Sequence, residues 1–203
     1  MAVRSLPLSV TLRVVVLVAA LPALAAAQTN GWIKAGSSPA DYEAGVDSKN
    51  AFTGTSSGFI RSATAAPTVF GTYMQTVDAA EYRGKRVRMS AQVKTENVQQ
   101  WAAMWMRVDV GPGKVSAFDN MENRSIKGST PWTPVSIVLD VDPKAAAVAF
   151  GILVAGRGAA WVDDLNFEIV GPDVPVTTMI TSDGTPVPPT QPRNLDFENA
   201  PQR

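Results

Sequence analysis

Stretches in which apolar and polar side chains alternate recur along most of this chain. In residues 86–94, four apolar side chains fall on one side and five polar side chains on the other. Residues 101–109 repeat the pattern, with Ala102, Met104, Met106 and Val108 on one side. Because successive side chains of a β-strand point to opposite faces, both stretches are predicted to be strands with one buried face. The polar residues 95–100 between them predict a hairpin connection.

Eight or nine such strands can be placed along the sequence, joined by turns rich in glycine and proline. No stretch shows the apolar period of a long helix. Short strands of this kind predict an all-β fold, an antiparallel β-sandwich, with a jelly roll as the expected version.

The two ends of the chain differ from its middle. Residues 1–27 contain an early arginine, an apolar run from Val14 to Leu24 and then Ala25-Ala26-Ala27, which is the layout of a cleaved signal peptide. The run is shorter than the ~20 apolar residues that span a membrane. Residues 172–203 are rich in proline and predict a flexible tail. The sequence therefore predicts one sandwich domain over residues 28–171, exported to the periplasm or outside the cell, with no membrane span after cleavage.

The composition favours binding over catalysis. The chain has 18 acidic and 18 basic residues, so a bulk attraction to nucleic acid is not expected. It has no cysteine and no histidine, which excludes disulfides, Ser-His-Asp and Cys-His nucleophile systems and the usual zinc ligand sets. Paired carboxylates and oxygen-ligated calcium remain open. We therefore expect a protein that is not an enzyme and has no cofactor, apart from structural calcium.

The last predicted strand resembles a known family. Residues Trp161-Val162-Asp163-Asp164-Leu165-Asn166-Phe167-Glu168 are similar to the closing strand of galactose-binding-like β-sandwiches, which include many carbohydrate-binding modules. The surroundings of Trp32 and Trp132 look similar too, so the resemblance covers residues 30–171. The opening motif of such modules is missing from the start and stands instead at Asn194–Glu198, as a truncated second module or a tail segment.

The chain also resembles a group of exported bacterial proteins through three motifs: residues 82–87, 105–109 and 118–121. Proteins of this group are often named transcriptional regulators. The sequence has no helix-turn-helix pattern and no basic stripe, so it predicts no nucleic-acid partner.

The charged and aromatic side of residues 101–109 is the predicted ligand surface, because two indoles, a guanidinium and a carboxylate are expected to face solvent there. If the two patterned strands share a sheet, polar side chains of residues 86–94 lie beside it. In modules of the resembled kind, aromatic rings stack on sugars while polar side chains bind hydroxyls. The predicted ligand-binding residues are Arg88, Gln92, Trp105, Arg107, Asp109, Asp119 and Asn120.

Three alternatives remain open for these residues. The strand face also matches a solvated surface whose charges pair across strands, or a surface for a protein partner. The loop that contains Asp119 and Asn120 also matches an Asx turn. The expected function is therefore saccharide binding, with an envelope component as a candidate partner; the alternative is a structural or protein-interaction sandwich without a small ligand.

Asp163 is the candidate metal ligand. Alternation places it on the same face as Trp161, Leu165 and Phe167, where a carboxylate needs hydrogen bonds or a cation. The family resemblance implies structural calcium at this position. The indoles of Trp32, Trp132 and Trp161 are predicted to pack rather than to bind ligand.

Overall fold

A computed structural model describes residues 31–180, and nearly all of their regular structure is β-strand. The strands are β1 (Ile33–Gly36), β2 (Tyr42–Asp47), β3 (Ser57–Ser62), β4 (Phe70–Asp78), β5 (Arg86–Gly111), β6 (Lys114–Asp119), β7 (Ile126–Asp140), β8 (Ala147–Ala155) and β9 (Ala159–Val170). Two 3-10 turns, Pro39–Asp41 and Glu122–Arg124, are the helical elements of the described residues. None of the helical segments between residues 31 and 180 has the length and apolar character needed to cross a membrane. The predicted signal peptide and the segment Asn194–Glu198 lie outside the described residues.

The strand β5 belongs to both layers of the sandwich. Its first half pairs with β7 and β9, and its second half pairs with β6 and β8. With the outer strands added, the back sheet is β2-β3-β9-β5-β7 and the front sheet is β1-β4-β8-β5-β6. All these pairings are antiparallel, so the predicted antiparallel β-sandwich is confirmed.

The predicted hairpin at residues 95–100 is wrong, because β5 continues through this segment. The register against β7 slips three times between Val93 and Ala102, and Asn97 takes a left-handed φ of 52°. Thr95 and Val98 are only 2% and 3% exposed, so the segment is packed into the protein and does not form a surface turn. A run of polar residues is compatible with a bent strand as well as with a turn, and here the packing of two residues decides between them.

The apolar rows of both halves of β5 meet between the sheets, as the alternation predicts. Met89 and Val93 from the first half share one core cluster with Met104 and Met106 from the second half, and all four are at most 1% exposed. Burying one such side chain stabilises the fold by about 1.5–3 kcal/mol. Strands β7, β8 and β9 add further members to this cluster: Ile137, Leu139, Ile152, Val154 and Val162.

Residues 171–180 form a strap that joins the two sheets. The backbone N–H of Thr177 donates to the carbonyl oxygen of Val138 in β7 at 2.8 Å. Two residues later, the N–H of Met179 donates to the carbonyl oxygen of Phe118 in β6 at 2.7 Å. The hydrogen-bonded domain therefore extends past the predicted boundary at residue 171, as far as Ile180.

The guanidinium of Arg86 fastens the start of the strap. Its Nη1 donates to the carbonyl oxygens of Pro172 and Val174, each at 2.7 Å. Its Nε and Nη2 donate to the two oxygens of Asp140 at 2.7 and 2.9 Å, which fixes the plane of the guanidinium. A paired guanidinium of this kind orients all its donors at once.

We expect a chain that ends at residue 171 to melt at a lower temperature than a chain that ends at residue 180, because it loses the strap contacts to β6 and β7. Differential scanning calorimetry of the two truncations, with the full chain as control, measures the difference. Equal melting temperatures for the two truncations would show that the strap adds no stability.

Strands β4 and β8 approach closely at Gly151. An added Cβ there would meet the carbonyl oxygen of Tyr73 and lie 2.8 Å from the Cα of Met74. We therefore expect Gly151→Ala to lower the free energy of unfolding by about 1–3 kcal/mol, the usual cost of overpacking. Urea denaturation is the measurement, and Gly111→Ala is the matched control because its added Cβ meets nothing within 4 Å. Similar losses in both variants would contradict this account.

Candidate functional site

The outer surface of the front sheet, here called the front face, carries three of the predicted ligand residues. Strand register aligns three rows across β4, β8 and β5: Met74–Gly151–Trp105, Thr76–Ala149–Arg107 and Asp78–Ala147–Asp109. The middle residue of each row is glycine or alanine. Strand β8 therefore forms a low floor between two walls of longer side chains. The wall on β4 has both polar and apolar side chains, and the wall on β5 has aromatic and charged ones.

The indole of Trp105 lies over this floor and is not an exposed platform. The residue is 4% exposed, and its Nε1 donates to the Oγ1 of Thr72 at 2.8 Å, which means that the indole reaches across β8 to β4. Phe70 and Leu153 pack with it in a second apolar cluster, separate from the main core. The prediction that the whole outer row of residues 101–109 faces solvent is therefore wrong. Alternation separates the two faces of a strand, but neighbouring strands decide whether the outer face is covered.

The open space beside Trp105 is small. The cleft between this indole, Phe70 and Phe118 has a volume of about 20 Å³, which is room for about one water molecule. A ligand of the front face would therefore lie across the surface, because the cleft cannot enclose it.

Arg107 and Asp109 form an ion pair on the front face. Nη2 of Arg107 donates to Oδ2 of Asp109 at 2.9 Å. The Nε of Arg107 lies 2.8 Å from Oδ1, but its N–H makes no hydrogen bond in that geometry, so this second contact is an ionic one. The two side chains are 15% and 20% exposed, so most of the pair is shielded from water and its orientation is fixed.

Arg88 and Gln92 lie on the other side of the protein. Their neighbours Met89 and Val93 point into the same core as Met104, so the polar row of the first half of β5 faces outward from the back sheet. Arg88 pairs across strands with Glu168 at 3.5 Å. The single face that was expected to join these residues to Trp105 and Arg107 is not formed. The reason is that β5 changes sheets between its two halves.

Asp119 and Asn120 are buried, and their side chains hold the loop after β6. Asp119 is 0% exposed; its oxygens accept hydrogen bonds from the N–H of Met121 at 2.7 Å and from the guanidinium of Arg124 at 2.6 Å. The Oδ1 of Asn120 accepts from the N–H of Glu122 at 3.2 Å. These are the contacts of Asx-type turns, so the turn alternative describes the observed geometry. Asp119 stands opposite Met106 of β5, so it faces the core and not the front face.

A β-bulge changes the side on which Asp163 lies. Asp164 has a φ of 52°, and the register between β9 and β5 shifts next to it. As a result Val162 and Leu165 both pack against the core, although they are three residues apart. Asp163 therefore does not share a face with Leu165, contrary to the simple alternation. Bulges insert one extra residue and reverse the pattern beyond it.

The carboxylate of Asp163 is occupied by backbone donors. Its Oδ2 accepts from the N–H of Phe52 at 2.8 Å and of Thr53 at 3.0 Å, and its Oδ1 accepts from the N–H of Asp164 at 2.8 Å. Within residues 31–180, no group of three or more acidic side chains comes together in a way that could hold a metal ion. In this arrangement both oxygens of Asp163 hold the loop between β2 and β3, and structural calcium stays a prediction.

Asp47 anchors the same loop from its other end. Its oxygens accept from Asn50 Nδ2 at 2.9 Å, from the backbone N–H of Lys49 at 2.8 Å and from Trp161 Nε1 at 2.8 Å. These hydrogen bonds, with that from Asn50 the largest cause, lower the pKa of Asp47 from 3.8 to about 2. The indole of Trp161 is 6% exposed beneath the loop, so it packs as predicted.

The lowered pKa of Asp47 gives a testable pH dependence. A carboxyl whose pKa is lower in the folded state contributes stability above its unfolded pKa and loses it as the pH falls. For Asp47 the loss is expected between pH 3.8 and about 2. Melting temperatures measured across this range should fall less steeply in Asp47→Asn than in the unmodified chain. Glu122→Gln, which changes an exposed carboxyl, is the control; equal slopes in all three proteins would contradict the assignment.

Two residues of the front face were not among the predicted ones. Phe118 of β6 stands opposite Arg107, and Thr76 of β4 ends the same row. The alternation in β4 did not show which of its faces is inward. Both residues can be assigned to the front face only when the pairing of β4, β6 and β8 with β5 is known. That pairing is a property of the sheet topology and not of the local sequence.

The sequence of this chain is similar to that of a known bacterial protein. The chain matches no protein-family model. It is 40% identical, over 174 residues, to the Bacillus subtilis (strain 168) protein YbfP, described as an uncharacterized HTH-type transcriptional regulator. The match covers 85% of this chain and 58% of that protein, so the chain spans less than two thirds of the relative's length.

Several solved structures share the fold. The tandem CBM22-1–CBM22-2 domain of Paenibacillus barcinonensis Xyn10C superposes with a TM-score of 0.52, at 16% identity, over 72% of this chain and 43% of that chain. The CBM22-1 xylan-binding domain of the same protein gives 0.50, at 17% identity, over 70% of this chain and 87% of that one. The C-terminal family 22 carbohydrate binding module of Clostridium thermocellum Xyn10B gives 0.50, at 15% identity, over 72% and 90%.

The fold is that of carbohydrate-binding modules. At these levels of identity the likeness establishes the β-sandwich and nothing finer, so the ligand has to be argued from the residues of this chain.

Proposed function

We propose that this protein is a non-catalytic binding module for a saccharide and that the front face holds the ligand. The observation that carries the proposal is the fixed ion pair of Arg107 and Asp109, which lies on the front face beside Trp105 and Phe118. Ala149, between Thr76 and Arg107 in the same row, is 0% exposed, so a ligand would meet the longer side chains that cover β8. Ligand sites combine apolar surface with a few placed polar groups in this way.

The ion pair of Arg107 and Asp109 would provide the polar recognition. Because the pair is mostly shielded from water and its geometry is fixed, a sugar hydroxyl can accept from the guanidinium while it donates to the carboxylate. The carboxylate–guanidinium pair also keeps the net charge of the face near neutral, which suits an uncharged ligand. Phe118 and the rim of Trp105 would contact the C–H surface of the sugar.

The shape of the front face favours a chain over a single sugar. The cleft next to Trp105 has a volume of about 20 Å³ and cannot enclose a ring. A longer saccharide gains contacts with successive rows and needs no deep pocket. We include in the proposal that the ligand is met outside the cytoplasm, as the predicted signal peptide implies, and that an envelope polysaccharide is one candidate.

The proposal can be tested by thermal shift of the full chain against a panel of oligosaccharides that includes xylohexaose and β-1,4-galactotriose. A ligand that binds only the folded state raises the melting temperature by mass action. We expect a rise with one class of saccharide and its loss in Arg107→Gln and Asp109→Asn, since removal of a hydrogen bond to a charged group costs about 1.5–3 kcal/mol.

Arg88→Gln is the control, because Arg88 also pairs with a carboxylate, but on the opposite face of the sandwich. Substitution of Trp105 by alanine is a poor test, since it removes a buried indole and should destabilise the protein by about 3–5 kcal/mol. If no saccharide raises the melting temperature, or if Arg88→Gln abolishes the rise as well as Arg107→Gln, the front face is not the binding site.

A further inference from the structure

A second concave surface lies at the β-bulge of β9. It is a cavity of about 260 Å³, bounded by the segment before β1, by β2 and β3, and by the bulge itself. Its lining is partly apolar and partly polar and includes Trp32, Gly58, Tyr73, Val162, Asp163 and Asp164. No residue of the front-face rows takes part in it, so it is a separate site.

The indole of Trp32 forms an aromatic wall of this cavity, and two other aromatic rings hold it in place. The ring of Trp32 lies over Tyr73 with centroids 5.1 Å apart and planes tilted by 32°. It also meets Phe150 edge-on, with centroids 5.7 Å apart at 89°. These two contacts fix the indole, which is half-buried and borders the cavity. A preset aromatic surface binds with little loss of side-chain entropy.

Because of the bulge, the carboxylates of Asp163 and Asp164 point in different directions and have different surroundings. Asp163 faces the loop between β2 and β3 and uses both oxygens on backbone N–H groups. The side chain of Asp164 is exposed at the cavity and has no hydrogen-bond or ion-pair partner among residues 31–180. Its backbone takes a left-handed φ of 52°, which is uncommon for residues other than glycine. Bulges often re-aim a side chain in this manner beside a functional site.

We propose that this cavity binds a single neutral sugar ring, either a free monosaccharide or the end residue of a chain. The carboxylate of Asp164 would accept hydrogen bonds from two adjacent hydroxyls, and the indole of Trp32 would lie against the C–H face of the ring. The volume is below the ~300–1,000 Å³ of pockets that enclose drug-sized ligands, which suits one ring and excludes a longer segment. An acidic sugar is disfavoured, because its carboxylate would meet that of Asp164.

The chemistry of this site differs from that of the front face. The front face has a paired guanidinium and carboxylate on a flat sheet, whereas the cavity has an aromatic wall and the carboxylate of Asp164, which is unpaired within residues 31–180. Either site can be functional without the other. The proposal for the cavity therefore does not rest on the proposed function of the front face.

The experiment is NMR of the full chain labelled with nitrogen-15 in its tryptophans. The five tryptophans of the chain give five indole N–H signals, each assigned through a Trp→Phe variant. D-Galactose, D-glucose and D-xylose are titrated separately in buffer with EDTA. We expect one of these sugars to shift the signal of Trp32 in a saturable manner and to leave that of Trp105 in place.

Two variants test the assigned roles. Asp164→Asn keeps a residue type that tolerates the left-handed conformation and removes the charge, and it should weaken binding about tenfold or more. Gly58→Ala narrows the cavity, because its added Cβ would lie 3.3 Å from the Cγ1 of Val162 and 3.6 Å from the ring of Tyr73. It should also weaken binding. Glu96→Gln, at an exposed position of β5, should leave the affinity for the sugar unchanged.

Each outcome decides the proposal. A saturable shift of Trp32 that is weakened by Asp164→Asn and Gly58→Ala, but not by Glu96→Gln, supports it. The absence of any specific shift of Trp32 with all three sugars overturns it. A shift that appears with CaCl2 alone and is lost in Asp164→Asn also overturns it, in favour of a cation site. Shifts of Trp105 with oligosaccharides report on the front face separately, so failure of one site is distinguishable from failure of the other.

Discussion

The passage of β5 from one sheet to the other is the constraint on which the rest of the structure depends. Both halves of this strand direct apolar side chains into a single core, so the strand has to bend between the layers. The bend places the polar rows of the two halves on opposite surfaces of the protein. Each surface therefore has its own chemistry: cross-strand ion pairs on the back, and on the front a floor of small residues with a shielded ion pair.

The small residues on β8 determine both the packing of the front sheet and the shape of its outer surface. They let β4 and β8 approach closely at Gly151, and they leave a low floor on the front face. The same absence of side chains allows the indole of Trp105 to lie across β8 and reach Thr72. Packing and shape of the candidate site are thus coupled, so a larger residue on β8 would change both.

Short acidic side chains hold the loops of this sandwich, a role that a chain without cysteine cannot give to disulfides. Asp47, Asp119 and Asp163 each accept backbone or side-chain donors from a neighbouring loop or turn. Such carboxylates are stabilising while ionised, because their bonds to N–H groups are charge-assisted. Asp164 is the exception among these acids, and its carboxylate, which has no partner among residues 31–180, distinguishes the cavity at the bulge from the structural turns.

The sequence by itself determined the class of fold and the buried rows, because alternation with a period of two is a local property of the chain. Met89 and Met104 could be assigned to the interior from the pattern alone, and the structure confirms both. Only the tertiary structure decided how the rows are combined. Whether Arg88 joins Arg107 depends on the sheet to which each half of β5 belongs, and whether Trp105 is covered depends on Phe70 and Leu153 of other strands. The side of β9 on which Asp163 lies depends on a bulge at Asp164, which the hydrophobic pattern does not predict. These features arise from contacts between residues far apart in the chain, which a local pattern does not encode.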